Sequence, residues 1–447
     1  MKLIFSRKKR LFCVIVSLMF FLNVSNSFAR EIQSFNSKWF FRKTASIDEI
    51  QIEKISYDKF EWEEISTPHT WNNIDMQTAY AGDALYLRKY TPNDSLKNKR
   101  IFLKFEGVGA IADVYVNKEF AGNHKGGYSA FVIEISNLLK FGEENEIVVV
   151  ASNKSREDVI PVNHHLFGVY GGIYRPVHLI ITEKINICLS DFASPGVFID
   201  QKKVSENLAQ VEVKVKIDNK EKRTTDIILE NSIFDFNGKL VEQLRSKEQL
   251  YPSGMQSYIH DITIKNPRLW QGLKDPYLYK VVTRIIVDNK VVDELVQPLG
   301  IRKIEVKAAD GVYLNGKKIP MYGVCRHQDW WEVGSALENT HHDIDLNIIK
   351  EIGATTIRLA HYQQSEYFYS RCDSIGFLVW AEIPFVNRVT TKEAENACQQ
   401  LTELIRQNYN HPSIFVWGLH NEVYKPYNYT SNLTAQLHNL AKVEDPN

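Results

Sequence analysis

The sequence predicts two consecutive β-sandwiches followed by a parallel α/β unit. Three observations carry that expectation. Short apolar runs bounded by Gly, Asn and Asp recur without a helical interval up to about residue 303. Within them, Val211, Val213, Val215 and Ile217 alternate with polar residues, the mark of a half-buried strand with one wet face. Beyond residue 311, apolar strands and helical periods alternate four times with short connections, and that alternation builds a parallel sheet.

Taken in order, the chain opens with a leader. Lys2, Arg7, Lys8, Lys9 and Arg10 precede an apolar run over residues 11–24, and Ser27-Phe28-Ala29 places small residues at cleavage positions. Residues 1–29 read as a secretory signal peptide, too short in its apolar run to span a membrane. The first β zone, 30–183, includes runs at 101–105, 111–116 and 147–150, and the second, 184–303, adds 227–229 and 281–287. In the third zone, 304–447, a buried strand is expected at 319–324. Thr340-His341-His342-Asp343 then resembles a capping box, with Ile344, Ile348 and Ile352 on one helical face. Gly353 ends that helix. Strand 355–359, helix 365–375 stopped by Gly376, strand 377–380, helix 393–409, strand 414–417 and helix 433–443 follow. Periodicity leaves open whether this is a doubly wound sheet or a barrel. No Gly-rich phosphate loop follows the first strand, which counts against a nucleotide enzyme.

Composition narrows the class. The 54 basic and 54 acidic residues balance; loss of the leader takes five positive charges, so the mature chain is mildly acidic and no nucleic-acid partner is expected. Tyr, Phe and Trp number 21, 23 and 8, a richness that suits β cores and sugar clefts alike. Cys188, Cys325, Cys372 and Cys398 match no zinc spacing and no dense disulfide framework, so buried free thiols are the expectation; an oxidising compartment would permit a bridge.

Polar residues gather where the four α/β strands end: Arg326, His327 and Asp329; Arg358 and His361; Glu382; Asn421 and Glu422. A structural core has no need for successive strands to finish in charged or imidazole groups, whereas barrel enzymes place their chemistry on that rim.

At this point a resemblance enters. His411-Pro412-Ser413-Ile414-Phe415-Val416-Trp417-Gly418-Leu419-His420-Asn421-Glu422 resembles the acid/base signature of glycoside hydrolase family 2. Gly323-Val324-Cys325-Arg326-His327-Gln328-Asp329, Ile357-Arg358-Leu359-Ala360-His361-Tyr362 and Val379-Trp380-Ala381-Glu382-Ile383-Pro384 resemble its first three barrel strands. Tyr170-Gly171-Gly172-Ile173-Tyr174-Arg175 and Asn266-Pro267-Arg268-Leu269-Trp270 are similar to marks in its two β-domains. The resemblance runs from about Trp39 to the last residue, and its wording is closest to β-galactosidases. It implies a jelly-roll β-sandwich over 30–183, an immunoglobulin-like β-sandwich over 184–303, and the first half of a (β/α)₈ TIM barrel over 304–447.

The resemblance also implies chemistry. A retaining glycosidase needs two carboxyl groups about 5–5.5 Å apart. Glu422 matches the acid/base, which must be protonated at working pH and is therefore expected to be partly buried. Asn421 would hold the sugar's 2-hydroxyl, and His327, Arg358 and His361 would be subsite donors, although structural imidazoles are the plain alternative for the two His. Glu382 is either a substrate-binding residue or the salt-bridge partner of Arg358. Trp330, Trp331 and Tyr362 offer a stacking floor or ordinary packing. His164 and His165 stand where related sandwiches often place an acidic residue. The family's nucleophile is a Glu ending the seventh strand, beyond Asn447, so the chain is expected to be C-terminally truncated and inactive by itself; reading the DNA downstream tests this. Relatives often carry divalent cations near the acid/base, so a divalent cation is left open although no His/Glu pair here spells its site, and no other cofactor is implied. The expected partner is an oligosaccharide or polysaccharide, in the periplasm or outside the cell, with no membrane span after leader removal; a homo-oligomer is left open. The alternative function is a secreted carbohydrate-binding or scaffold protein with a vestigial barrel.

Overall fold

The computed structural model describes residues 29–446, except 45–51, 56, 58–60, 74–80, 163, 165, 253 and 424–427. The expected signal peptide therefore lies outside the described residues but for Ala29, and so does His165. No helix among the described residues is long and apolar enough to cross a membrane.

Residues 29–183 form a jelly-roll sandwich. One sheet pairs, in order, Arg30–Ser34, Val177–Thr182, Arg100–Phe105 and Phe131–Glu134. The facing sheet is six-stranded, with Asp83–Tyr90 and Asn145–Ser152 at its centre. Trp39, Tyr86, Phe105, Val149 and Leu179 fill the space between them. The second sandwich follows the alternation read from the sequence. Along Leu208–Asn219, Val211, Val213, Val215 and Ile217 are buried while Glu212, Lys214 and Lys216 remain partly wet. A small antiparallel sheet, Ile304–Lys307, Gly311–Leu314 and Lys317–Lys318, comes next. Sequence reading missed it, because its strands are too short to show a period.

The last region is a four-stranded parallel sheet with helices between strands: β1 (Gly323–Arg326), α1 (Asn339–Glu351), β2 (Thr356–Leu359), α2 (Glu366–Ile375), β3 (Leu378–Glu382), α3 (Ala394–Asn408), β4 (Ile414–Gly418) and α4 (Asn428–Glu444). The strand order is sequential and every pairing parallel, the arrangement of half a (β/α)₈ barrel. Gly376 closes α2 in the left-handed conformation, as glycine does at helix ends.

Three expectations are corrected here. The first strand lies at Gly323–Arg326 rather than 319–324 and is largely exposed, because it is a sheet edge among the described residues. Helix α1 is capped by Glu338 and His341 in a reciprocal box, two residues ahead of the expected Thr340. Its buried face is His342, Leu346 and Ile349, whereas Ile344, Ile348 and Ile352 stand in solvent. All four cysteines are free, and Cys188 and Cys372 are buried as expected, but Cys325 is exposed on the open edge strand and Cys398 is half-buried.

Buried polar contacts join the three domains. Arg30 grips Asp293 through both carboxylate oxygens, at 3.0 and 2.6 Å. Arg175, nearly fully buried, donates to Gln328 Oε1 at 2.7 Å and to the Gln363 carbonyl at 2.8 Å. His124 meets Glu403 of α3 at 2.9 Å. Such groups are buried only when their hydrogen bonds are made, so the domains pack in one register.

Candidate active site

The carboxyl ends of β1 to β4 bring together most of the residues read from the sequence. Glu382, the last residue of β3, is fully buried. Its Oε2 accepts from Arg358 Nε at 3.1 Å, and its Oε1 accepts from Arg358 Nη2 at 3.1 Å and His361 Nδ1 at 2.6 Å. This fork geometry is what a guanidinium offers a carboxylate. Glu382 is thus the salt-bridge partner of Arg358, one of the two readings the sequence offered. Gly418 of β4 makes room for it; a Cβ there would lie 2.5 Å from Glu382 Cβ and 2.4 Å from Trp380 Nε1.

The Glu382 clamp sets its neighbours. A carboxylate oxygen can only accept, so His361 Nδ1 carries the proton and, in the neutral ring, Nε2 is left as an acceptor. Asn421 is tied by its backbone to the loop after β3, donating from N to the Phe385 carbonyl at 2.9 Å. Its Oδ1 accepts from Arg358 Nη2 at 2.9 Å, which leaves its amide N–H groups as the donors for a ligand. His327, exposed at the end of β1, has its ring 5.5 Å from that of His361. Tyr362 Oη accepts from the Gln328 amide at 3.3 Å and lies 3.3 Å from His327 Nδ1, so the phenol proton is free to point at that nitrogen and leave Nε2–H as donor. Desolvation, then the neighbouring His361, hold the His327 pKa below the ordinary imidazole value.

Glu422 follows on left-handed backbone, φ 48°. The partial burial expected of it is not found: the residue is exposed, and no group among the described residues bonds its carboxylate. Its position one residue past Asn421 keeps it at the same rim, and the open side of the half-barrel leaves it in water.

Sequence reading missed Phe167 and met Tyr170 only as part of a domain motif. Phe167, on a jelly-roll loop, places its ring 5.8 Å from His327, 6.1 Å from His361 and 5.0 Å from Tyr362. Tyr170 donates to Asp329 at 3.1 Å. Only the Tyr-Gly-Gly motif that begins at Tyr170 signalled this loop. Of the expected stacking residues, Tyr362 is buried against Tyr128, rings 4.3 Å apart. Trp330 is tied to Asp345 at 3.1 Å, and Trp331 is exposed.

Among the described residues no three His, Cys, Asp or Glu converge as ligands, and the one buried carboxylate of the rim is already neutralised by Arg358.

Two β-sandwiches ahead of a half-barrel, with amide, imidazole and carboxyl groups at the strand ends, define a glycoside hydrolase architecture. Comparison with known proteins agrees. Residues 29–183 match the sugar-binding domain of glycosyl hydrolases family 2, residues 195–302 match glycosyl hydrolases family 2, and residues 304–447 match the TIM barrel domain of that family. The chain belongs to glycosyl hydrolase family 2. A beta-glucuronidase of Bacteroides fragilis is 41% identical over 86% of this chain and 56% of its own length. A beta-galactosidase of Thermoanaerobacter pseudethanolicus is 30% identical over 92% of this chain and 54% of its own. Among solved structures, a provisionally named beta-galactosidase of Bacteroides fragilis is 55% identical, with a TM-score of 0.89 over 93% of this chain and 62% of that one. The chain spans about half the length of the curated relatives it matches.

Proposed function

We propose that the chain carries the acid/base side of a retaining β-glycosidase acting on terminal β-D-galactosides. The observation that supports this best is the buried Glu382–Arg358 clamp, which commits one face of His361 and Asn421 and leaves their other hydrogen-bonding groups for a sugar beside Glu422. In the proposed reaction Glu422 protonates the glycosidic oxygen as a second carboxylate attacks the anomeric carbon. The aglycone leaves, and Glu422 then takes a proton from the water that releases the sugar. Glu382 cannot be that second carboxylate, since both its oxygens are committed and buried. The nucleophile is thus assigned to residues outside the four strands described.

An uncharged sugar is favoured over a uronate because Arg358, beside Asn421, is already neutralised by Glu382. Hydrolysis of β-glucuronides is the second reading, and the 41% identical relative named beta-glucuronidase speaks for it. Export to the periplasm or beyond belongs to the same proposal and rests on residues 1–29.

The test is turnover of chromogenic β-galactoside and β-glucuronide by the full-length protein. The galactoside is expected to be hydrolysed, with a loss of about 10²–10⁴-fold in Glu422→Gln. Sugar binding without turnover, insensitive to that change, would instead support the scaffold alternative.

A further inference from the structure

The backbone that presents Glu422 runs beside the loop after β3. Val386 forms a parallel bridge with Asn421, Asn421 N donates to the Phe385 carbonyl at 2.9 Å, and Asn387 N donates to the Asn421 carbonyl at 3.1 Å. Where that loop enters α3, away from the strand ends, Glu393 is fully buried. Its Oε2 accepts from the amides of Thr390 and Lys392, each at 3.1 Å. The Thr390 hydroxyl shares its one proton between that oxygen and the Glu157 carbonyl of the jelly-roll domain. Between the two bonded amides, Thr391 is held at φ 80°, a backbone conformation that a β-branched residue adopts only when its surroundings impose it. Tyr429, in the first turn of α4, faces the same carboxylate: burial, then the Glu393 charge, raises the pKa of its phenol. Glu393 Oε1 and Tyr429 Oη are both buried and have no other hydrogen-bond partner among the described residues.

We infer that Glu393 is a positioning residue for the acid/base: a buried carboxylate that fixes the loop after β3, and through its pairing with Asn421 sets where Glu422 stands. The inference rests on the proposed glycosidase reading and deepens it. Among the described residues the hydrogen bonds to Glu393 come from amides and a hydroxyl of its own loop, not from a cation. Burying a carboxylate without a counter-charge is costly. What offsets the cost is those donors together with the start of the 15-residue α3, whose N-terminal end attracts negative charge. An apolar side chain would fill the same volume without that cost, but it would leave the Thr390 and Lys392 amides bare and let Thr391 relax. The charge therefore maintains the shape of the loop, and Val386 and Asn387 pass that shape on to Asn421. Glu393 touches no substrate. It acts on the distance between the Glu422 carboxyl and the glycosidic oxygen, where a misplacement of about 1 Å costs up to about 10²-fold in rate.

The experiment measures kcat/KM of the full-length protein, wild type and Glu393→Gln, on phenyl and 2,4-dinitrophenyl β-D-galactosides (or the matching glucuronides, should those be the ones cleaved). This constant reports cleavage of the glycosidic bond. Phenolate needs the Glu422 proton to leave, whereas dinitrophenolate leaves without it, so a displaced acid is felt by the first substrate alone. Glu393→Gln is expected to lower kcat/KM about 10–100-fold for the phenyl glycoside and less than about threefold for the dinitrophenyl one. Equal losses on both substrates, or no loss on either, overturn the inference and leave the glycosidase reading intact. If Glu393→Gln does not fold, Thr390→Val, which keeps the volume and removes only the hydroxyl, is judged by the same ratio. A second readout is independent of turnover. Hydrogen exchange at the Asn387 and Asn421 amides is expected to quicken about tenfold or more in the variant, while the Val379 amide of β3, bonded to the Ser413 carbonyl at 2.8 Å, stays as protected as in wild type. Unchanged exchange at Asn387 and Asn421, or an equal loss at Val379, overturns the inference. If wild type cleaves neither sugar, the glycosidase reading fails, and exchange alone decides whether Glu393 holds the loop.

Discussion

Replacing Glu382 by Gln removes one negative charge from a site with no access to water. In the folded protein that carboxylate receives two contacts from Arg358 and one of 2.6 Å from His361. Breaking a buried pair by deleting one charge costs about 3–5 kcal/mol, mostly because the partner is left uncompensated. Arg358 retains 27% of its side-chain surface, so water relieves part of that burden and the lower end, about 3 kcal/mol, is the expected loss. The local effect is sharper. Without a carboxylate to accept from it, His361 Nδ1 is no longer obliged to carry the proton, and Asn421 loses its fixed Arg358 partner. Two readouts follow: the unfolding free energy of the barrel region in urea, and the His361 tautomer from long-range ¹H–¹⁵N NMR correlations. The reasoning fails if Glu382→Gln retains wild-type stability and His361 keeps its proton on Nδ1.

The remaining predictions use other parts of the structure. Gly418→Ala forces a Cβ against Glu382 and Trp380 and is expected to destabilise by about 1–3 kcal/mol; a melting point equal to wild type would show that the strands move apart freely. His342 accepts from Arg326 Nη2 at 3.0 Å, and burial, then Arg326 and Arg175, push its pKa down to about 3. The unfolded chain therefore binds the extra proton between about pH 6.5 and 3, so this contribution is complete above 6.5 and is lost as pH falls, by at most about 1.4 kcal/mol per unit. His342→Gln should flatten the acid side of the stability profile, and parallel profiles would contradict it. Arg30→Ala leaves Asp293 buried with the Ile187 and Glu294 amides as its donors among the described residues, an expected loss of about 3–5 kcal/mol. Faster hydrogen exchange at Ile187 is the measurement, and unchanged protection there sinks the idea.

Much of the site was legible because barrel chemistry sits where strands stop. Arg358, His361, Asn421 and Glu422 could be picked out as polar residues following apolar runs, and six of the eight expected elements of the barrel region began and ended within a few residues of their places. Glu382 could not be assigned from the sequence, since a carboxylate at a strand end reads alike whether it faces a ligand or a guanidinium. Phe167 was invisible for a different reason: it belongs to another domain, some 160 residues before His327, and an isolated Phe in a loop has no periodicity.

By itself, the sequence determined the order of domains, the alternation of strand and helix, and the family, because periodicity and local motifs are properties of neighbours along the chain. Only the tertiary structure decided which groups are spent on one another and which stay free. Helix α1 carries two apolar stripes, and packing buried Leu346 and Ile349 while leaving Ile344, Ile348 and Ile352 in water. The rim carries several ionisable groups, and Arg358 chose Glu382, leaving Glu422 without an ion pair among the described residues. Burial and pairing are set by distances across the fold, which spacing along the chain does not encode.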